Sequence, residues 1–324
     1  MTHAIRFAQT GGPEVLRWEA VKVGDPAAGE IRLRHSAVGV NFIDIYHRSG
    51  LYPVTLPSGL GLEAAGIVEA VGTGVTDLKP GDRVAYAGAP LGAYAQARLI
   101  PADHVVKLPA AIDDRVAAGA MLKGLTAHYL LFRTYPVKHG DTILLHAAAG
   151  GVGSLLSQWA KALGASVIGT VGSPDKAALA RSNGCDHVID YRNEDFAARV
   201  RELTGGRGVD VVYDAVGAAT FEGSLNSLKR LGMLVSFGNA SGKVPAFEPV
   251  LLSAKGSLFF TRPTLMDYIA RREDLLSGAA VLFQALQSGV LKVEISHSYA
   301  LREAATAQRD LESRQTTGSI LLLP

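Results

Sequence analysis

The hydrophobic pattern of the chain changes period twice, near residue 125 and near residue 263. In the first 110 residues, short strand-like runs such as Ile31–Ser36, Ala65–Val71 and Arg83–Ala87 alternate with turn clusters. The clusters are Gly11-Gly12-Pro13, Pro57-Ser58-Gly59 and Lys79-Pro80-Gly81-Asp82. Such punctuation predicts an antiparallel, β-rich unit with long connections. A helical pattern follows over Asp113–Arg133, weakened by Gly119 and Gly124. From Thr142 the rhythm is strand, helix, strand, helix. The expected strands are Thr142–His146, Ser166–Val171, His187–Asp190, Val209–Tyr213, Met233–Phe237 and Ser257–Phe260. The expected helices are Leu155–Leu163, Asp175–Ser182, Asp195–Leu203 and Ala219–Lys229. Strands this short and apolar on both faces suit a parallel sheet covered by helices. After Pro263 the pattern returns to helix (Glu273–Ser288, Arg302–Arg314) and strand (Lys292–Ile295, Ser319–Leu323). The expected fold is α/β: a β-rich domain over residues 1–125, a doubly wound parallel sheet over 126–263, and a return to the first domain over 264–324.

Composition narrows the class. Hydrophobic residues make up 48% of the 324 and charged residues 19%, enough apolar material for a packed core and against disorder. The 32 basic and 30 acidic side chains leave a net charge of +2, so no basic footprint points to nucleic acid. The one cysteine, Cys185, allows neither an internal disulfide nor a four-cysteine zinc site. No stretch reads as a targeting segment or membrane span. The longest uncharged run considered, Thr142–Ala160, carries three glycines and five polar side chains including His146 and Gln158. A cytoplasmic protein is expected.

The candidate chemistry starts in that run. In Gly140-Asp-Thr-Ile-Leu-Leu-His146-Ala-Ala-Ala-Gly150-Gly151-Val152-Gly153, a strand enters small residues and then an amphipathic helix. A dinucleotide pyrophosphate needs such a place, where amides at a helix N-terminus are exposed and no Cβ blocks approach. Ala148 stands where the usual G-x-G-x-x-G fingerprint has its first glycine. About twenty residues on, an NAD site would place a carboxylate for the ribose 2′-hydroxyl. Here the strand ends in Val171-Gly172-Ser173, with Lys176 close behind, a hydroxyl and an ammonium that favour the 2′-phosphate of NADP. Ser173-Pro174-Asp175 also reads as a helix cap. The nicotinamide end is expected beside Ala215-Val216-Gly217, Phe237-Gly238-Asn239 and Phe260-Thr261-Arg262-Pro263, which follow predicted strands. Core packing is a competing role for Phe237 and Phe260.

Further motifs carry a resemblance. Asn41-Phe-Ile-Asp44-Ile-Tyr46, Gly50-Leu-Tyr52-Pro53, Gly61-Leu62-Glu63-Ala-Ala-Gly66 and Lys79-Pro-Gly81-Asp82-Arg83-Val84, with Gly140–Lys161, cover nearly the whole chain. Together they resemble the zinc-free quinone oxidoreductase branch of the medium-chain dehydrogenase/reductase superfamily, which holds the bacterial NADPH:quinone reductases and the ζ-crystallins. The resemblance implies a GroES-like catalytic domain, a Rossmann domain binding NADPH, a homodimer, and reduction of a quinone. It implies cofactor contacts from Asn41, Tyr46, Tyr129, Gly151, Val152, Ser173, Lys176, Tyr191, Asn239, Phe260, Arg262 and Arg314, beside Gly150, Phe237 and Gly238 of the loops above. Tyr46 and Tyr52 would serve the substrate cleft.

Zinc alcohol dehydrogenases of the superfamily carry Gly-His-Glu and a cysteine ligand in the first domain. Here Leu62 replaces the histidine and Asn41 lies near the cysteine position, and leucine cannot ligate zinc. No metal is expected. A quinone needs less help than an aldehyde, because hydride addition gives an aromatic hydroquinone anion that solvent protonates. No obligatory general acid is therefore expected. Glu63 is read as a structural acceptor, His128 and His146 as packed histidines, Cys185 as a structural thiol. The competing activity is reduction of an activated C=C bond, as in an enone or enoyl thioester.

Overall fold

The computed structural model describes residues 1–324. The chain divides into two compact units, Met1–Leu125 with Ile269–Pro324, and Thr126–Tyr268.

In the first unit a seven-stranded sheet runs Ile295–Ala300, Ser319–Leu323, Glu30–Val40, Glu63–Val71, Arg83–Ala87, Val106–Lys107, and Ala97–Pro101 also pairs with Glu30–Val40. All pairs are antiparallel except Ile295–Ala300 on Ser319–Leu323. A smaller sheet joins Arg17–Val21, Thr2–Phe7 and Ser58–Gly59. Ile31, Leu33, Val68, Val84, Tyr86, Ile320 and Leu322 form the core. The buried histidine inside it is paired at both ring nitrogens. His35 holds the Ala95 carbonyl through Nδ1 (2.6 Å) and the Tyr86 hydroxyl through Nε2 (3.0 Å). Since the carbonyl can only accept, Nδ1 carries the proton and Nε2 accepts from Tyr86. Burial lowers the His35 pKa to about 4.

The second unit is a six-stranded parallel sheet in the order His187–Asp190, Ser166–Val171, Thr142–Leu145, Val209–Asp214, Leu228–Ser236, Phe259–Thr261. The strand order reverses beside Thr142–Leu145, which creates a crevice at the carboxyl ends of the strands. Helices Gly151–Ala162, Pro174–Ser182, Phe196–Leu203 and Phe221–Ser227 connect them. Leu144, Ile168, Val212, Leu225 and Leu234 form its core.

Several elements differ from expectation. The helix predicted over Ala219–Lys229 ends at Ser227, and Leu228 opens a strand. The Arg201 guanidinium takes the Asn226 and Leu228 carbonyls (2.8 and 2.7 Å) and so terminates the helix from outside. The predicted strand Ser257–Phe260 is confined to Phe259–Thr261, since Ser257 is left-handed at φ 56°. The strand predicted at Lys292–Ile295 lies instead at Ile295–Ala300. Its sequence, Ile-Ser-His-Ser-Tyr-Ala, is a polar edge without hydrophobic alternation. The helix predicted over Asp113–Arg133 is α-helical to Tyr129, then widens into a π turn over Leu130–Thr134. The second unit runs to Tyr268, past Pro263, because Tyr268 stacks on Tyr129 (centroids 4.3 Å apart) and accepts from the Thr134 hydroxyl (2.8 Å). No helix is long and apolar enough to cross a membrane.

Candidate active site

Each unit carries its own set of the expected residues. In the second unit, strand Thr142–Leu145 delivers the chain to Gly150, the extended residue before helix Gly151–Ala162. No side chain caps this helix, and its first amides are the donors that an anion at a helix N-terminus would meet. The glycines differ in what they do. A Cβ on Gly150 would meet only the Ala147 carbonyl oxygen, at 3.2 Å. One on Gly153 would collide with that oxygen and lie 2.9 Å from the Ala148 backbone. Gly153 therefore lets the helix touch the end of the strand, while Gly150 leaves its approach nearly open. Ala147 takes the sharp turn at φ 55°, a conformation costly for a residue with a Cβ. The alanine at 148 is accommodated from across the sheet: a Cβ on Gly169 would come within 2.7 Å of the Ala148 Cβ. The glycine missing from the fingerprint has a counterpart on the neighbouring strand.

At the end of the second strand, Ser173 caps helix Pro174–Ser182, its Oγ accepting the Lys176 N–H (3.4 Å). The Tyr191 hydroxyl lies 2.5 Å from where a Gly172 Cβ would stand. Gly172, Ser173, Lys176 and Tyr191 thus share one corner. The nearby Asp190 carboxylate is turned into its own loop, accepting from the Arg192 N–H (3.1 Å) and Asn193 Nδ2 (2.9 Å).

Beyond the strand reversal, buried Asp214 organises the next loop. Its carboxylate accepts from the Val216 and Gly217 N–H groups (2.7 and 3.0 Å) and from the Thr220 and Ser224 hydroxyls (2.7 and 2.9 Å). Ser224, having donated its proton, accepts from His146 Nε2 (3.0 Å), so His146 Nδ1 accepts from Thr170 (2.8 Å). Burial lowers the His146 pKa, and this neutral histidine ties the end of strand Thr142–Leu145 to strand Ser166–Val171 and helix Phe221–Ser227. Phe237 N–H bonds the Asp214 carbonyl (2.8 Å). A Cβ on Gly238 would collide with the Ala215 carbonyl, so that glycine brings the two loops together. Phe260 belongs to an aromatic cluster with Phe247 and Phe221 (5.3 and 6.1 Å). Its half-buried ring packs against the core. Arg262 reaches the Pro263 carbonyl (3.2 Å), and Tyr129 lies in the stack with Tyr268.

In the first unit, Asn41 precedes helix Phe42–Ser49, which carries Asp44 and Tyr46. Tyr46 packs edge-on against Tyr52 (5.2 Å), and His47 also touches Tyr52 (5.8 Å). Arg314 follows helix Ala304–Glu312, left-handed at φ 59° and exposed. Around Asn41 lies a buried charged cluster. The Glu63 Oε2 accepts from Asn41 Nδ2 (2.8 Å) and Lys123 Nζ (2.8 Å), and its Oε1 accepts from the Leu122 N–H (2.7 Å). Asp44 Oδ2 accepts from the Asn41 N–H and the Tyr94 hydroxyl, both at 2.9 Å. Burial raises the Asp44 pKa to about 7.

Two family models match the chain. "Alcohol dehydrogenase GroES-like domain" covers residues 27–110 and "Zinc-binding dehydrogenase" covers residues 151–280. A quinone oxidoreductase of Pseudomonas aeruginosa is 53% identical over the full length of both chains. The crystal structure of Escherichia coli quinone oxidoreductase complexed with NADPH is 52% identical and superposes with a TM-score of 0.98, covering 99% of this chain and 100% of that one. This chain belongs to the quinone oxidoreductase family. A 2-haloacrylate reductase of Burkholderia sp is also similar, 49% identical over 100% of this chain and 99% of its own.

The zinc in one model's description has no matching donors in this family member. No group of three or more His, Cys, Asp or Glu side chains could hold a metal ion. Leu62 is buried and apolar, Asn41 is spent on Glu63, and the nearest cation to that carboxylate is the Lys123 ammonium. Cys185 lies in the other unit beside Ser157 (3.4 Å), its thiol pushed up to about 11 by burial. Sequence reasoning missed Lys123 and gave Asp44 no role. Lys123 did carry a signal: it is the sole charge in the apolar run Val116–Ala127, and a lysine there must be paired.

Proposed function

We propose that the chain is an NADPH-dependent quinone reductase that works as a cytoplasmic homodimer and uses no metal. The corner formed by Gly172, Ser173, Lys176 and Tyr191 carries the cofactor choice. It offers a hydroxyl, an ammonium and an aromatic ring, and Asp190 is turned away into its own loop. This suits a 2′-phosphate and leaves a 2′-hydroxyl without its carboxylate partner. Gly150, Gly151 and Val152 would hold the pyrophosphate at the uncapped helix. Asn41, Tyr46, Phe237–Asn239, Phe260, Arg262, Tyr129 and Arg314 are the remaining proposed contacts, Phe260 through its backbone, since its ring is packed. Tyr52 would line the quinone site beside Tyr46.

NADPH, when bound, supplies the hydride. The reduced quinone is an aromatic hydroquinone anion, so protonation from solvent completes the reaction and the tyrosines serve orientation. The homodimer reading rests on strand Phe259–Thr261, the last of its sheet, with Phe259 55% exposed. Such an edge invites pairing.

The second reading is reduction of an activated C=C bond, favoured by the similarity to 2-haloacrylate reductase. Steady-state kinetics with NADPH and NADH against quinones, 2-haloacrylates and enones separate the two. The expected result is a kcat/KM highest for quinones and for NADPH, unchanged in chelator. A higher value for a haloacrylate, or loss of activity with removed zinc, overturns the respective part.

A further inference from the structure

An asparagine before a helix normally accepts a backbone N–H from the first turn through its side chain. Asn41 does not: its side chain makes no cap bond, and the Asp44 N–H goes to the Asn41 backbone carbonyl (3.0 Å). The amide is drawn instead to Glu63, which is fully buried and also paired with the buried Lys123. The space for that carboxylate is made by Gly39, whose Cβ would collide with it. A helix, two strands and a glycine thus converge to hold one carboxylate against one amide.

The chemistry of the pair decides its direction. An ionised carboxylate only accepts hydrogen bonds. The Asn41 amide must therefore turn its NH2 toward Glu63, and its carbonyl Oδ1 lies on the opposite branch of the planar group. Lys123 supplies the charge that keeps a buried carboxylate in this role, since an unpaired one would be costly. Asp44 fixes the other side of the residue by accepting the Asn41 N–H.

We propose that Glu63 and Lys123 are positioning residues that lock the Asn41 amide so that its carbonyl oxygen faces a hydrogen-bond donor, a hydroxyl or amide N–H, on the nicotinamide half of NADPH. This rests on the reading of Asn41 as a cofactor contact. The ion pair matters through the atom it makes Asn41 present, and packing alone would not require it.

A charge-exchange cycle tests this. Glu63→Gln allows the amide to flip, and Asn41→Asp sets two carboxylates against each other. Each is expected to raise the KM for NADPH about tenfold, which corresponds to about 1.4 kcal/mol. The double variant Asn41→Asp/Glu63→Gln moves the carboxylate to position 41, keeps Lys123 as its partner and again offers an oxygen to the ligand. It is expected to recover most of the NADPH affinity. The variant Glu63→Gln/Lys123→Met fills the same space without charge, so it keeps its melting temperature yet shows the raised KM. Affinity for 2′,5′-ADP, which lacks the nicotinamide half, stays unchanged in all four. A double exchange no better than its singles, or an unchanged NADPH KM in Glu63→Gln, overturns the proposal. So does Asn41→Ala with unaltered NADPH affinity, which leaves quinone reduction standing. Absence of NADPH oxidation by the parent enzyme with every quinone is instead the failure of the functional reading.

Discussion

Lys176 and Ser173 separate two roles that one short segment performs. Ser173 caps a helix through its own oxygen, and Lys176 adds a charge at the same corner. The 2′-phosphate carries close to two negative charges, and an ammonium within about 4 Å contributes roughly 1–4 kcal/mol at dielectric constants of 80 to 20. Half-exposure and salt bring this to the lower end. Lys176→Ala is therefore expected to weaken NADPH about tenfold and to leave NADH nearly unchanged, as fluorescence titration would show. Equal weakening of both cofactors would make the residue structural. Asp44 and His35 give a prediction of opposite signs. His35 falls from 6.5 to about 4 on folding, so its contribution to stability is present above pH 6.5 and is lost as pH drops toward 4. Asp44 rises from 3.8 to about 7. Its contribution is full below pH 3.8 and is lost as pH rises through 7, so it offsets the histidine on acidification. In Asp44→Asn that offset disappears. Its melting temperature, followed by calorimetry from pH 7 to pH 4.5, should fall more steeply than the parent's. A parallel decline in both would contradict the assignment.

The glycine loop shows how residues of one type serve an element differently. A methyl on Gly153 would be forced into the Ala147 and Ala148 backbone, while one on Gly150 requires only a small shift of a single oxygen. Gly153→Ala should thus lower the melting temperature. Gly150→Ala should keep it and weaken NADPH instead, because its methyl enters the path of the pyrophosphate. The reverse pattern in paired melting and binding curves would exchange the two roles. Boundaries set by local signals were legible at this scale: strands Ser166–Val171, Arg83–Ala87 and Ser319–Leu323 stand where the apolar runs lie. Boundaries set from outside the segment were not. Helix Phe221–Ser227 stops early because Arg201, on another helix, captures its last carbonyls. Strand Ile295–Ala300 exists because Ser319–Leu323 offers it a partner.

For the whole molecule, the exposed end of the six-stranded sheet is the feature that concerns assembly. Phe259 is more than half exposed on the edge strand, and Leu231 and Val250 are exposed as well. Light scattering at micromolar concentration should give the mass of two chains, and Phe259→Glu should shift it toward one. A monomeric parent would rule out the dimer. The strands of the parallel sheet, the glycine turn before helix Gly151–Ala162 and the leucine at position 62 were all carried by the sequence itself. They depend on hydrophobic period, on glycine and on which side chains can ligate, properties that residues bring with them. The tertiary structure alone decided that the Phe260 ring is packed in an aromatic cluster, that Gly169 makes room for Ala148, and that Lys123 meets Glu63 and Asn41. Those partners lie far apart in the chain. Burial makes their pairing obligatory, but only the fold selects which residues become neighbours.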